Sequence, residues 1–176
     1  MPDQIIREIP RIRRYSRHNE AEDLRFRTYL KVGLNMSNAE LDKVVRATTD
    51  EVWRQIDCLQ CGNCCRTLQI VVDQADIERL ARRFGMRSSA VVKKYVRRAP
   101  DGVMVLKSTP CVFLGDDNCC SIYMDRPQAC RDFPYLHADD FRTRTFMMMD
   151  NCEVCPIVFN VWQRLKERLM PRRRRG

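Results

Sequence analysis

The sequence predicts an α+β fold, a small cysteine-rich domain of several helices with short strands or hairpins. Three observations carry this reading. The 176 residues, 44% of them hydrophobic, suffice for one domain with a real core. Capped stretches with helical apolar spacing alternate with short runs rich in β-branched residues. No internal repeat breaks the pattern, and no run approaches the ~18 apolar residues of a membrane span. Residues 1–35 read as a basic N-terminal arm with a short helix, 36–170 as the main domain, and 171–176 as a basic tail.

In chain order, the stretch up to Arg17 reads as irregular and basic. "AEDLRFRTYLKVG" reads as a short helix with Leu24, Tyr29 and Leu30 toward one face. A clearer helix begins at Ser37, which with Glu40 three residues on makes the capping-box pattern. Leu41, Val44, Val45, Val52, Trp53 and Ile56 then recur at helical spacing and lead into Cys58. "RTLQIVV" reads as a strand. Asp73 caps the next helix, which stops at Gly85. Ser88 caps another, "SAVVKKYVRR", before Pro100, and "GVMVLK" is a second strand. "TPCVFLGDDNCCSIY" reads as a short hairpin turning at "GDDN". "RPQACRDF" gives one or two helical turns with Pro127 near the first position, ended by Pro134. "RTRTFMMMD" fits either a strand or a loop, with its methionines packed in the core. Ile157, Val161, Leu165 and Leu169 mark a C-terminal helix.

The formal net charge is +9 and the isoelectric point about 9.2. Such a chain is attracted to acidic partners: nucleic acid, an anionic membrane surface, or an acidic protein. A solvated, arginine-rich surface gives the same totals. The runs "RIRRYSRH" and "RRRR" at 172–175 can touch phosphate backbones, but no aromatic platform or recognition-helix pattern accompanies them. The N-terminus has no apolar signal core, and early acidic residues argue against a transit peptide. The expected location is therefore the cytoplasm, where thiols stay reduced and ten cysteines point to metal or redox chemistry rather than disulfides.

Four of those cysteines fall in "CLQCGNCC": Cys58, Cys61, Cys64 and Cys65. Two intervening residues let both thiolates of a pair face one ion, and Gly62 permits the left-handed backbone such a knuckle uses. Cys64 and Cys65 are adjacent; in an extended chain their side chains diverge, one facing a second centre or the core. Cys111, Cys119, Cys120 and Cys130 follow, then Cys152 and Cys155 with Pro156 behind them. The spacing C-x₂-C-x₂-C with a distant C-P is similar to bacterial ferredoxin ligation. It points to a 4Fe–4S cluster held by Cys58, Cys61, Cys64 and one or more of Cys65, Cys111, Cys120, Cys130 and Cys155. The same thiols suit one or two tetrahedral zinc ions. Cys119 alone reads best as a small buried apolar residue, and Cys152 equally as that or as a ligand.

"CLQCGNCCR" and "CVFLGDDNCCSIYMDRPQACRDFP" together resemble the CxxCxxCC cysteine-cluster family, a YkgJ-like zinc- or iron-chelating domain. The match runs through Cys58, Cys61, Gly62, Cys64, Cys65 and Arg66. It resumes at Cys111, Phe113 and Leu114, then Cys120, Ile122 and Tyr123, then Arg126, Pro127, Cys130, Arg131, Phe133 and Pro134. It covers roughly residues 55 to 135; Cys119 departs from the pattern, whose single cysteine there falls on Cys120. The resemblance implies a metal or iron–sulfur cluster bound through these cysteines. It also implies a distant kinship with the flagellin lysine methylases, and hence a third possibility, a protein-modifying enzyme or accessory factor. No glycine-rich S-adenosylmethionine loop and no CxxxCxxC spacing of radical enzymes is present.

Arg126 and Arg131 flank Cys130 and are candidates to stabilise an anionic cluster, or else to pair with Asp125 or Asp132. Tyr123 reads as core and His137 as structural or exposed rather than as a ligand. With two histidines and neither in a recognisable pairing, a nucleophilic cysteine is disfavoured. Two functions of different kinds follow. One is an iron–sulfur protein whose cluster is structural or passes electrons to an unknown protein partner. The other is a non-catalytic zinc module whose basic arms bind nucleic acid or an acidic protein.

Overall fold

Two capping boxes set the frame of the chain. Ser37 Oγ accepts the Glu40 amide at 3.2 Å, and the Glu40 carboxylate accepts the Ser37 amide at 2.8 Å. Asp73 and Asp76 repeat the exchange at 2.7 and 3.1 Å, so each helix start has two orphan donors satisfied reciprocally. In the computed structural model, which describes residues 5–171, the elements run in chain order. They are α1 (Ile9–His18), α2 (Glu20–Thr28), α3 (Asn38–Trp53), α4 (Cys58–Cys61), α5 (Asn63–Thr67), α6 (Gln74–Phe84) and α7 (Ser88–Tyr95). Then come β1 (Val96–Arg98), β2 (Met104–Leu106), α8 (Gln128–Asp132), α9 (Thr145–Cys152) and α10 (Pro156–Leu169). Among the described residues helices dominate and the one sheet is two-stranded and antiparallel, a small α+β fold as the sequence predicts.

The chain forms two compact units, Met1–Asp57 with Pro134–Gly176, and Cys58–Phe133. The first is helical, with Phe26, Leu41, Val45, Met148, Trp162 and Leu165 among its buried side chains. Phe26 meets the Trp162 ring edge-on at 5.0 Å. Asp23, 4% exposed, accepts from Trp162 Nε1 at 2.8 Å and from Lys166 Nζ at 2.7 Å, so two buried donors share one carboxylate. Asp42 accepts the amides of Asp140 and Phe141 at 2.9 and 3.0 Å and fixes the turn that leads into α9.

In the second unit, α6 and α7 pack with the β1–β2 pair over a core of Val72, Ile77, Leu80, Val91, Leu106 and Phe113. Val96 pairs with Leu106 and Arg98 with Met104. Gly85, at φ +61, ends α6 in the left-handed cap the sequence predicts. The "GDDN" turn also forms: the Gly115 amide reaches the Cys119 carbonyl at 2.8 Å and Leu114 bridges Cys120.

Several local expectations are corrected. The basic stretch up to Arg17 is not irregular: α1 starts with Pro10 in its first turn, where the missing N–H costs nothing, and buries Ile12. "RTLQIVV" is not a full strand, because Arg66 and Thr67 complete α5; only Ile70 to Val72 run beside β2. There the Leu106 amide donates to Ile70 at 2.9 Å and the Val72 amide to Met104 at 3.0 Å. Arg87, not Ser88, is the N-cap of α7, and "VRR" leaves the helix to become β1, where Val96 gains the core. "RTRTFMMMD" is helical, a 3₁₀ turn Phe141–Arg144 followed by α9, and of the three methionines read as core only Met148 is fully buried, Met147 and Met149 being half-buried. The basic tail at 172–175 lies outside the described residues.

Candidate metal centre

Within the second unit, α4 carries Cys58, which is exposed, and Cys61, which is half-buried. Gly62 follows at φ +57 and lets the chain turn straight into α5. A Cβ there would lie 2.7 Å from Arg66 Nη1 and 3.3 Å from Asn118 Cβ, so the left-handed turn is also a close approach. Arg66 uses that space. Its guanidinium donates to the Cys61 carbonyl at 3.0 Å and to Asn118 Oδ1, while Asn118 Nδ2 reaches the Gln60 carbonyl at 3.4 Å. The first cysteine run is thereby tied to the tip of the 111–123 hairpin.

Cys64 and Cys65 lie on α5 with their sulfurs 4.0 Å apart. The expectation that neighbouring thiols diverge fails because the segment is helical rather than extended, and successive helical side chains are turned by only about 100°. The Cys111 amide donates to the Cys65 carbonyl at 2.8 Å. Cys111 and Cys120 both pack against the unit's apolar core. Cys130 sits on α8, whose start is held from α6: the Gln128 amide donates to Asp76 Oδ1 at 2.9 Å, and Arg79 pairs with Asp76. Arg79 also donates to the carbonyls of Asp125 and Arg126, each at 3.4 Å.

Electrostatics identifies which thiols sense one another. The Cys65 thiol is pushed up first by its hydrogen bond with Cys64 and then by burial. Burial pushes up Cys111, and the charges of Cys65 and Cys120 add to it. Burial does the same to Cys120, again with Cys65 adding. Cys130 is pushed up to about 12, by burial first and then by Cys65, Cys111 and Cys120. Arg126 opposes the rise at Cys65, Cys120 and Cys130. Cys65, Cys111, Cys120 and Cys130 are thus one interacting set, with Cys64 at its edge and Arg126 as its cation.

Arg126 lies with its guanidinium carbon 3.9 Å from the centre of the Tyr123 ring, and among the described residues its buried Nε has no hydrogen-bond partner. Tyr123 is 46% exposed, so the expectation that it is core is corrected; the ring serves as a platform for the arginine. Arg131 is not ion-paired with Asp125 or Asp132. It braces backbone instead, donating to the carbonyls of Arg126 at 3.0 Å and of Met124. Asp125 pairs with Arg83 at 3.5 Å, and Asp132 accepts from Gln128 at 2.7 Å.

Cys155 and Cys152 belong to the first unit, 7% and 1% exposed. Burial, and next the charge of Asp23, pushes the Cys152 thiol well up. His137, also in that unit, contacts Asp50 at 2.9 Å and the Trp53 ring, and is exposed as expected. The sequence reading missed Asp76 and Arg79, and missed that Arg66, a matched motif residue, reaches Asn118 of the predicted turn; these four carry the ligand loops. The Asp73–Asp76 capping spacing was the one local signal; the others act across about 50 residues of chain, beyond any periodic pattern.

Among the described residues, no group of three or more Cys, His, Asp or Glu side chains is already arranged to hold a metal ion. The thiols interact without converging, so loading a metal takes rearrangement of their side chains. The donor set itself fits a thiophilic metal: it is all sulfur, half-buried, and faced by a cation with an unused N–H. A family described as "CxxCxxCC: Putative zinc- or iron-chelating domain" matches residues 57–156. No curated protein and no solved structure matches the chain. Among the described residues no helix is long and apolar enough to cross a membrane.

Proposed function

The chain belongs to the CxxCxxCC family of zinc- or iron-chelating domains, and on that premise we propose that it carries an iron–sulfur centre of the 4Fe–4S type, structural or electron-transferring. Cys65, Cys111, Cys120 and Cys130 are its core ligands, with Cys64 beside them, and the α4 pair Cys58 and Cys61 extends the set. One observation carries the reading. Cys65 adds to the rise that burial imposes on the half-buried thiols Cys111, Cys120 and Cys130, and the cation that opposes it at Cys65, Cys120 and Cys130 is an arginine whose buried Nε is unpaired among the described residues. As free thiols this is a poor use of a cation. As thiolates on a net-anionic cluster it is a favourable one, since a nearby guanidinium stabilises the negative charge and raises the potential. Arg126 supplies that charge, and Arg131 positions it through the Arg126 carbonyl.

The test is anaerobic purification of the full chain, with iron, acid-labile sulfide and zinc measured beside the visible spectrum. Iron with equal sulfide and a broad sulfur-to-iron charge-transfer band is the expected result. Stoichiometric zinc in a colourless protein, lost together with the fold on chelation, would replace the cluster with the zinc module. An electron-transfer role further predicts a protein partner that oxidises or reduces the centre.

A further inference from the structure

We propose that the second unit presents a nucleic-acid phosphate-backbone site on the α6–α7 turn and the β1–β2 pair. The residues differ from the terminal basic runs. From Arg79 to Arg98 the chain holds eight cations and no carboxylate. Two of the eight are neutralised, Arg79 by Asp76 and Arg83 by Asp125. Arg82, Arg87, Lys93, Lys94, Arg97 and Arg98 are exposed, and among the described residues no ion pair joins any of them to an acid.

The fold carries these charges on consecutive elements of one unit. Gly85 turns α6 directly toward α7, and α7 runs without a break into β1. Lys107, at the end of β2, donates its backbone N–H to the Tyr95 carbonyl at 2.9 Å and its ammonium to the Lys93 carbonyl. A third cation is thus set beside Lys93 and Lys94. In β1, Val96 faces the core and Arg97 faces out. Helix C-terminal dipoles favour Arg82, Arg83, Lys93 and Lys94. They do not account for Arg87, Arg97, Arg98 or Lys107, which lie on the turn and the sheet.

The chemistry favours a phosphate backbone over an acidic protein. Protein interfaces need apolar and aromatic anchors at their centre. Among the described residues, no large apolar side chain between 79 and 98 is exposed, and the exposed apolar residues beside β2 are the valines Val71 and Val103, neither of them aromatic. A polyphosphate chain needs only spaced cations, and binds by releasing counterions.

The test uses the full-length protein and a labelled mixed-sequence duplex, as DNA and as RNA, titrated at several salt concentrations. Two variants are compared with wild type. One is R82Q/R87Q/K93Q/R97Q; the other neutralises the tail arginines 172–175. The expected result is a loss of about ten-fold or more for the first, with a salt slope shallower by up to about 3.6 for B-DNA, and little change for the second. The charge-keeping R82K/R87K/R97K must retain binding, which separates charge from folding. Equal binding by wild type and the first variant would overturn the site, as would loss confined to the tail variant. Competition by polyglutamate as strong as by unlabelled duplex would reassign the surface to an acidic protein. DNA and RNA bound equally, with no sequence preference, marks backbone recognition. None of these readouts depends on which metal the thiols hold.

Discussion

The amide of Cys111 donates to the carbonyl of Cys65 at 2.8 Å, so a single backbone bond joins the two halves of the cysteine constellation. It brings residues 46 positions apart into one thiol set; Cys119 is exposed on the hairpin tip, which corrects its reading as a small buried residue.

That arrangement separates the cysteines by consequence. Cys65→Ser, Cys111→Ser, Cys120→Ser and Cys130→Ser should each reduce bound metal by more than the ~10–100-fold affinity loss of an outer-shell change. Cys119→Ser and Cys152→Ser should leave metal content near wild type. Metal content per chain after gel filtration, with a chelator competition for affinity, checks this. Full retention of metal by Cys111→Ser would remove the hairpin from the site.

Arg126 acts through charge and should be read through charge. Arg126→Gln should lower metal affinity by about 10–100-fold, and in an iron–sulfur form should make the reduction potential more negative. The sign follows from removing a cation beside a centre that becomes more negative on reduction. Arg126→Lys, which keeps the charge but loses the planar contact with Tyr123, should recover part of the shift. Spectroelectrochemical titration of the three proteins decides the matter; identical potentials would exclude Arg126 from the centre.

The parts legible in the sequence were those set by neighbours in the chain. Ser37 with Glu40, Asp73 before α6 and Gly85 after it are local chemistry, and all three stand as predicted. So does the cysteine-rich hairpin, whose turn residues fix its geometry. Val96 was misread as helix because its strand state depends on pairing with Leu106 and on burial, neither visible in "KKYVRR". Arg66 and Thr67 were misread as strand for the mirror reason: a short helix after Gly62 is held by contacts to Asn118, about 50 residues away. The ligand types were readable from spacing. Which thiols lie together was not, because long-range hydrogen bonds decide it.

Gly62 and Gly85 share a left-handed backbone but not their surroundings. An alanine at Gly85 meets nothing within 4 Å, so Gly85→Ala should cost only the intrinsic strain of about 1–2 kcal/mol. At Gly62 the new methyl must also displace Arg66 from a 2.7 Å approach and disturb its bond to Cys61. Gly62→Ala should therefore lose more stability than Gly85→Ala, and should lose metal as well. Denaturant unfolding of the apo chains alongside metal content tests both parts. Equal stabilities with equal metal content would mean that the Arg66 brace is dispensable.

Asp76 is the residue through which α6 holds the Cys130 loop. It is 2% exposed and accepts the Gln128 amide and the Arg79 guanidinium together. Asp76→Ala leaves the Gln128 amide and a largely buried cation without this acceptor. The expected loss is about 2–3 kcal/mol, below the ~3–5 of a fully buried pair, because Arg79 retains some water at 23% exposure. Asp76→Asn keeps an acceptor for the Gln128 amide but not the charge, and should fall between. Since α8 carries Cys130, both variants should weaken metal retention in the same order as they weaken the fold. If Asp76→Ala unfolds too easily to load, the Asn variant carries the test: normal metal affinity there, with stability lowered, would confine Asp76 to the fold and detach it from the centre.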